Sequence, residues 1–289
     1  MAMTGSLQLS SCVNRVPSTL PEQQARDEIE DTTAINSLVT VKVACQVVEL
    51  TSIKKDGFHI IDGDILVPPQ QLPIGMGHAT AEIGRLWDNK CNNGTSVCVP
   101  YIFDSDFKYQ SRAEEAMSWW NENTIVEFTP RQNESDYLIF TTDSTICKYA
   151  CSYVGSLGQA QKININLTNR TGNIAHELGH ALGLYHMQSR SDRDDFVVID
   201  DRCQNNTNFK FAKLRNINAE DRYDYDLYSI MHYSDRLLSG CLSLKDGIRQ
   251  SLNLPTGIPG QRDSLSASDI NVVNELYSEV LNNTIIECQ

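Results

Sequence analysis

The stretch HELGHALGLYHMQSRSDRD, residues 176–194, holds three of the chain's six histidines within eleven residues. On a helix, residues four apart share a face, so His176 and His180 can present two imidazoles to one metal ion. His186 is ten positions beyond His176. On a continuous helix it would lie about 15 Å away, too far for zinc–nitrogen bonds of roughly 2.1 Å. The helix is therefore predicted to end and turn back at Gly183, which is free to take a positive φ.

Three neutral imidazoles leave one position on zinc open for water, which is typical of a catalytic rather than a structural site. Glu177 lies about 100° round the helix from His176, close enough to reach that water without being a ligand. Zinc lowers the pKa of the water towards about 7, and Glu177 can accept its proton and return it to a leaving amine. The pattern predicts a zinc hydrolase with His176, His180 and His186 as metal ligands and Glu177 as general base and acid.

The composition is that of a globular protein with an acidic surface. The 289 residues are 40% hydrophobic and 21% charged, with a formal net charge of −13. That charge argues against a nucleic-acid partner, which would require clustered Lys and Arg. No apolar run approaches the roughly 20 residues of a membrane-spanning helix, so no transmembrane segment is predicted.

Nine cysteines indicate an oxidising compartment. Cys91 and Cys98, and likewise Cys147 and Cys151, are near enough in sequence to form short-range disulfides. We therefore predict a secreted, extracellular protein. The opening MAMTGS lacks the charged and apolar parts of a signal peptide, so either a signal peptide has been removed or the protein is not exported. The tetrapeptide LSSC faintly resembles a lipoprotein cleavage site, which leaves anchoring at Cys12 as an alternative.

The order of the predicted elements indicates an α+β fold. Helices are predicted over residues 106–123, in the histidine segment and over 266–281. The Pro- and Gly-rich residues 67–85 are predicted to be an exposed linker that marks a domain boundary. Strands are predicted over residues 37–50 and 99–104 and in IVEFTP, YLIFTT, CSYVG and KININ.

The extended histidine motif resembles that of the metzincin metallopeptidases, and RSDRD and SIMHY narrow the resemblance to the astacin family. GRLWDNK, VPYIFD, ESDYLIFTT, CSYVG and LSASDINVVNELY are also similar to astacin segments, so the resemblance covers nearly the whole chain after Arg85. It implies a zinc endopeptidase for protein or peptide substrates. The implied fold is zincin-like, with a twisted mixed sheet and the active-site helix, then a C-terminal subdomain with a terminal helix.

The resemblance also assigns roles outside the histidine motif. Met231 would form the Met-turn beneath the metal. Tyr233 would approach the zinc in the resting enzyme and then donate a hydrogen bond to the oxyanion of the tetrahedral intermediate. KININ would be the edge strand on which an extended substrate pairs backbone to backbone.

A latent proenzyme is implied as well, with residues 1–85 as propeptide and linker (the first few can be vector-derived) and 86–289 as catalytic domain. The propeptide would be an intramolecular inhibitor. Astacin-like zymogens carry a Gly-Asp pair whose aspartate takes the water position on zinc, and IIDGDILVP contains Gly63 and Asp64. A thiolate from Cys45 or Cys12 could block zinc instead, because sulfur binds it well. An ordinary solvated turn is also open.

Two features depart from the family pattern. Cys151 and Cys288 fall where the family has disulfide cysteines, but the usual partner positions, near Thr124 and Asn173, lack cysteine. Met187 replaces the glutamate that in typical members receives the buried mature N-terminus. A thioether cannot replace that carboxylate, so a modified activation route is expected.

Two other functions are open at this point. One is a catalytically silent protein-binding module on a metzincin scaffold, which the retained Glu177 and Tyr233 argue against. The other is a metal-dependent hydrolase of non-peptide substrates.

Overall fold

A computed structural model describes residues 35–43, 46–55, 58–67, 81–82, 86–166, 170–204, 211–214, 223–235 and 240–283. The helices are α1 (Gln110–Asn123), α2 (Thr171–Ala181), α3 (Asp201–Gln204), α4 (Ile248–Ser251) and α5 (Ala267–Asn282). The strands are β1 (Ile35–Val43), β2 (Gln46–Lys55), β3 (Phe58–Ile61), β4 (Ile65–Val67), β5 (Ala81–Glu82), β6 (Lys90–Cys91), β7 (Ser96–Phe103), β8 (Val126–Pro130), β9 (Tyr137–Thr141), β10 (Ala150–Cys151), β11 (Ala160–Ile165), β12 (Val197–Ile199) and β13 (Leu242–Leu244).

The N-terminal strands form their own five-stranded sheet, in the order β4-β3-β2-β1-β5. The single strand predicted over residues 37–50 is wrong, because β1 and β2 pair antiparallel as two strands. The apolar alternation continues through both strands and so gives no sign of the reversal. The linker prediction is also wrong in part. Ala81–Glu82 pairs with β1, and Val67 ends β4, whereas residues 68–80 and 83–85 lie outside the described chain.

The second sheet is mixed, in the order β10-β11-β9-β7-β6 with β8 also paired to β7. β7 pairs in parallel with β8 and β9, and β9 pairs in parallel with β11. β6 adds an antiparallel pair with β7, and β10 adds one with β11. The predicted α+β fold with a mixed sheet is confirmed. The prediction that KININ is the edge strand is wrong in part, because Asn164 and Ile165 of β11 pair with β10, which lies outside it. Two residues of strand are too few for a periodicity argument to identify β10.

Two helices pack beside this sheet. The apolar face predicted for α1 is confirmed, since Ala113, Ala116, Met117 and Trp120 are all buried. The indole Nε1 of Trp120 donates to the backbone oxygen of Ala175, 3.1 Å away, and so fixes α1 against α2. α2 is buried along nearly its whole length. The helix that carries two of the histidines is therefore held from several sides.

The C-terminal helix is tied to the segment that carries SIMHY. Ser266 caps α5, and Asp269 completes a capping box with it. The Asp269 carboxylate also accepts hydrogen bonds from Ser229 Oγ at 2.6 Å and Ile230 N at 2.9 Å. Because one carboxylate serves both segments, the position of the SIMHY turn depends on the start of α5.

Disulfides join Cys91 to Cys98 and Cys147 to Cys151, as the sequence predicts. The structure adds a pair between residues 203 and 241. Cys151 thus has a local partner in place of the one that the family pattern would supply near Asn173. Residues 12, 45 and 288 lie outside the described chain. None of the described helices combines the length and the apolar character that crossing a bilayer requires.

Trp87 lies just before β6 of the second sheet and fixes this part of the chain to the end of α2. It is fully buried, and its Nε1 donates to Ala181 O at 2.8 Å. Trp87→Ala should lower the free energy of unfolding by about 3–5 kcal/mol, because it opens a cavity and removes that hydrogen bond. Denaturant unfolding with disulfides intact measures the change. Trp119→Ala, at a half-buried site on α1, is the matched control, and equal losses in the two variants would contradict the assignment.

Candidate metal centre

The histidine helix ends where the sequence requires it to end. His176 and His180 lie one turn apart on α2, which stops at Ala181. Gly183 follows with φ of 101°, and its N donates to His180 O at 2.8 Å. A side chain at this φ would be strained, which is why glycine suits the position. The reversal brings His186 back to the other two imidazoles.

Three imidazole nitrogens and one carboxylate converge on a common point. His186 Nε2 lies 3.2 Å from Nε2 of both His176 and His180. Asp64, in the turn between β3 and β4, places Oδ1 3.1 Å from His186 Nε2 and 3.6 Å from His180 Nε2. Its Oδ2 lies 3.5 Å from His176 Nε2. The residues that the sequence singled out as ligands and as an N-terminal switch are therefore adjacent.

The outer nitrogen of each imidazole has an acceptor. His176 Nδ1 lies 2.8 Å from Ile230 O, and His180 Nδ1 lies 2.8 Å from Leu184 O. His186 Nδ1 lies 2.8 Å from Asp62 Oδ2. Carbonyl and carboxylate oxygens only accept, so each Nδ1 carries a hydrogen and each Nε2 directs a lone pair at the common point.

This arrangement fits zinc. With zinc–ligand bonds of roughly 2.0–2.2 Å, tetrahedral geometry separates the donor atoms by about 3.3–3.6 Å. The two separations from Nε2 of His186 to the other Nε2 atoms and the three from an Asp64 oxygen to the Nε2 atoms run from 3.1 to 3.6 Å. Asp64 Oδ1 is buried and makes no hydrogen bond within the described residues. Facing lone pairs and an unsatisfied carboxylate oxygen are what a bound cation would satisfy.

The electrostatics favour one positive charge at this point. Burial lowers the pKa of His176 to about 3, and burial also lowers the pKa of His180. Burial acts in the same direction on His186, but the carboxylates of Asp64 and Asp62 reverse it and raise its pKa to about 10. Burial would raise the pKa of Asp64, but the charge of His186 and the close approach of the three imidazoles bring it well below its usual value. The negative potential of these two carboxylates, which raises the pKa of His186, also attracts a metal cation.

Glu177 is buried beside the cluster. It is 3% exposed, and its Oε2 has no hydrogen-bond partner among the described residues. Burial, and next the charge of Asp64, raise its pKa well above the usual value. The charged Arg262 is near enough to oppose that shift. A carboxyl group with a raised pKa and a free oxygen is suited to receive a proton.

Met231 packs directly beneath α2. A Cβ added to Gly179 would lie 2.5 Å from Met231 Sδ, so the helix requires glycine where the sulfur passes. Met231 O also accepts from Met187 N at 3.1 Å. The sequence pattern does not single out Gly179, because its position between two histidines is a signal only once a close packing partner is known.

Tyr233 is held by the N-terminal segment. Its hydroxyl donates a short hydrogen bond to the backbone oxygen of Asp62, and its ring centroid is 4.4 Å from that of His186. The sequence pattern does not single out Asp62 either. The only available signal was the Asp-Gly-Asp composition of the turn, which does not say that both acids face the histidines.

Met187 lies in an apolar cluster. It is 3% exposed and packs among the buried hydrophobic residues of the C-terminal part: Val197, Ile199, Phe211, Tyr225, Leu227, Tyr233, Leu242, Leu254 and Ile258. A carboxylate at residue 187 would need a charged partner in these surroundings. Methionine needs none.

A family model described as Astacin, a peptidase family, matches residues 86–278. The chain belongs to the astacin family. Astacin-family proteins are zinc metalloendopeptidases. The cluster of three histidines and an aspartate in this chain can hold one metal ion.

Individual astacin relatives agree with the assignment. Nematocyst expressed protein 6 of Nematostella vectensis is 31% identical over 227 residues, 77% of this chain and 78% of that protein. Tolloid-like protein 1 of Mus musculus is 34% identical over 215 residues, 69% of this chain but 19% of that protein. The chain therefore spans about a fifth of the tolloid-like relative's length.

A solved structure gives the same fold. High choriolytic enzyme 1, a hatching enzyme zinc-protease from Oryzias latipes, aligns with a TM-score of 0.54 and 29% identity. The alignment covers 68% of this chain and 98% of that one.

Metal analysis of the purified full chain should find one zinc ion per molecule. His180→Ala should lose most of this zinc on dialysis, because it removes one of the converging nitrogens. His59→Gln is the control, since His59 lies in the N-terminal sheet and bonds Ser52 Oγ at 2.7 Å. Zinc retention by His180→Ala equal to that of His59→Gln would show that the metal lies elsewhere.

Proposed function

We propose that this chain is the latent form of an astacin-family zinc endopeptidase, with residues 1–85 as propeptide and linker and 86–289 as catalytic domain. The observation that carries the proposal is the approach of the Asp64 carboxylate to all three histidine Nε2 atoms, at 3.1–3.6 Å. A carboxylate at that point takes the position that a hydrolytic zinc site leaves open. One contact thus supports both the catalytic role of the histidines and the inhibitory role of the N-terminal segment.

In the active enzyme, His176, His180 and His186 would hold the metal, and Nδ1 of His176 and of His180 would stay bonded to Ile230 O and Leu184 O. Bound zinc supplies a Lewis acid that polarises the substrate carbonyl and lowers the pKa of water. Glu177 accepts the proton of the attacking water and returns it to the leaving amine. Its burial and its unpaired Oε2 suit this role.

Tyr233 stabilises the oxyanion in this proposal. In the latent chain its hydroxyl is bonded to the Asp62 carbonyl, so it is withheld from any substrate. Removal of the N-terminal segment frees the hydroxyl and the position that Asp64 occupies together. Latency then has two components, one at the metal and one at the oxyanion donor.

An extended polypeptide is the substrate that this site favours. The N-terminal segment pairs with the chain just after β10, where Leu66 N donates to Ser152 O at 2.8 Å and Ser152 N donates to Asp64 O at 3.0 Å. Backbone pairing at a sheet edge is a general mode of peptide recognition. The disulfides of the described residues suit a secreted enzyme.

Glu177→Gln should retain zinc but reduce kcat of the processed enzyme on a peptide substrate by about 10²–10⁴, because the amide cannot accept the proton. The control is Glu122→Gln, the same substitution at an exposed position of α1, which should be unchanged. Zinc content and steady-state rates are measured on both. Full turnover by Glu177→Gln would remove Glu177 from the mechanism, and zinc binding without peptide hydrolysis by the wild type would favour the silent binding module.

Asp64→Ala in the unprocessed chain should show peptidase activity that the wild-type chain lacks, because the carboxylate no longer faces the three Nε2 atoms. The assay is hydrolysis of a quenched fluorescent peptide, with electrophoresis to confirm that the chain is still intact. Cys45→Ala and Cys12→Ala are assayed beside it. If either of these is active while Asp64→Ala stays silent, a thiolate and not Asp64 blocks the metal.

The mature N-terminus should tolerate a ragged start. Met187 offers no charge to a buried ammonium, whose burial without a partner would cost several kcal/mol. Chains that begin at different positions between Gly77 and Leu86 should therefore have similar turnover. Several termini released from a cleavable fusion can be compared on one peptide. A sharp optimum at one terminus, about ten-fold above its neighbours, would show that another residue receives it.

A further inference from the structure

We propose that Asp62 is a positioning residue for the metal site. Its carboxylate orients His186 through Nδ1, so that the latent chain binds zinc more tightly than it would without Asp62. This role rests on the proposed function, because it takes the three histidines as zinc ligands. It adds to that function a second acidic residue of the N-terminal segment, with a task different from that of Asp64.

The three histidines differ in what holds their outer nitrogens. His176 and His180 each donate to a backbone carbonyl of the catalytic domain, Ile230 O and Leu184 O. His186 donates instead to the Asp62 carboxylate at 2.8 Å. Two ligands therefore keep their partners when the N-terminal segment leaves, and the third does not.

Asp62 is itself held in place. Ser189 Oγ donates to the same carboxylate oxygen, Oδ2, at 2.8 Å, and the side chain is 10% exposed. Asp62 has φ of 48° and Gly63 has φ of 91°, and the flanking Ile61 and Ile65 are paired across the β3–β4 hairpin. Aspartate tolerates the left-handed region better than most residues. This tight turn points the carboxylates of residues 62 and 64 towards the same imidazole from its two sides.

Asp62 and Asp64 together also match the charge of the metal. The two carboxylates that face His186 carry −2, and a zinc ion carries +2. A carboxylate on the far side of a ligating imidazole raises the basicity of the metal-facing nitrogen and fixes the ring. Loss of such an outer partner typically reduces metal affinity by about 10–100-fold.

The test compares zinc affinity in unprocessed chains, by equilibrium competition with a fluorescent zinc chelator. Asp62→Asn should weaken zinc binding by about 10–100-fold. Asparagine keeps the size of the side chain and accepts the left-handed turn, but it lacks the charge. Glu122→Gln removes one charge at an exposed site and should bind zinc as the wild type does. Equal affinity of Asp62→Asn and wild type, within two-fold, would overturn the role.

A second pair separates Asp62 from Asp64. In an Asp64→Ala chain, adding Asp62→Asn should weaken zinc binding again by a similar factor, because the effect runs through His186 Nδ1 and not through the blocking carboxylate. No further loss in the double variant would mean that the apparent role of Asp62 is exerted through Asp64. That result also overturns the proposal.

Cobalt substitution distinguishes orientation of a ligand from a general loss of structure. The visible absorption bands of the cobalt-loaded Asp62→Asn chain should shift from those of the wild type, whereas the Glu122→Gln spectrum should superimpose on it. If Asp62→Asn fails to fold, Ser189→Ala keeps the turn sequence and removes one of the two hydrogen bonds to the carboxylate. It should then bind zinc more weakly than the wild type, and equal affinity would count against the role.

The outcomes separate this inference from the proposed function. A wild-type chain that binds no zinc would overturn both. Normal zinc binding and chelator-sensitive peptidase activity in the wild type, with an unchanged zinc affinity in Asp62→Asn, would overturn the role of Asp62 alone.

Discussion

The structure depends on holding Nε2 of His186 3.2 Å from Nε2 of both His176 and His180 in a buried place. Such nitrogens repel unless a cation lies between them, so the chain must fix each ring from behind. α2 supplies two rings at the correct spacing, and the turn at Gly183 returns the third. The aromatic side chains of Trp87 and Trp120 hold the helix by hydrogen bonds to its backbone. Asp269 accepts a hydrogen bond from Ile230 N, and Ile230 O in turn accepts one from His176 Nδ1.

In the proposed latent state, the N-terminal segment acts on these same three imidazoles. A three-histidine site has an open position, and the N-terminal sheet delivers one tight turn into it. Asp64 faces the inner nitrogens, Asp62 takes the outer nitrogen of His186, and the Asp62 carbonyl takes the Tyr233 hydroxyl. One short segment thus reaches the metal position, a histidine and the proposed oxyanion donor together. Its removal would change all three at once, which would make the transition from latent to active chain sharp.

Two departures from the family pattern have local explanations. Cys151 bonds Cys147 in the same loop. This local disulfide replaces the one that the family would form with another element. It lies in the loop against which residues 64–66 pair. Met187 is surrounded by apolar side chains, which make it part of the C-terminal core. The three histidines and Glu177 are kept, while residue 187, to which the family resemblance gives the role of receiving the mature N-terminus, has changed.

The sequence by itself determined the cluster of three histidines, the end of α2 and the family, because these depend on spacings within about a dozen residues. The core face of α1 and the cap of α5 follow from the same local periodicity. Only the tertiary structure decided that residues 35–55 form two strands, that β10 covers the end of β11 at the sheet edge, and that Gly179 must give room to Met231. Only the tertiary structure, likewise, brought Asp62 to His186, 124 positions further along the chain. Local patterns record which residues share a face, whereas contacts between distant segments depend on how whole elements pack, and no spacing in the sequence encodes that.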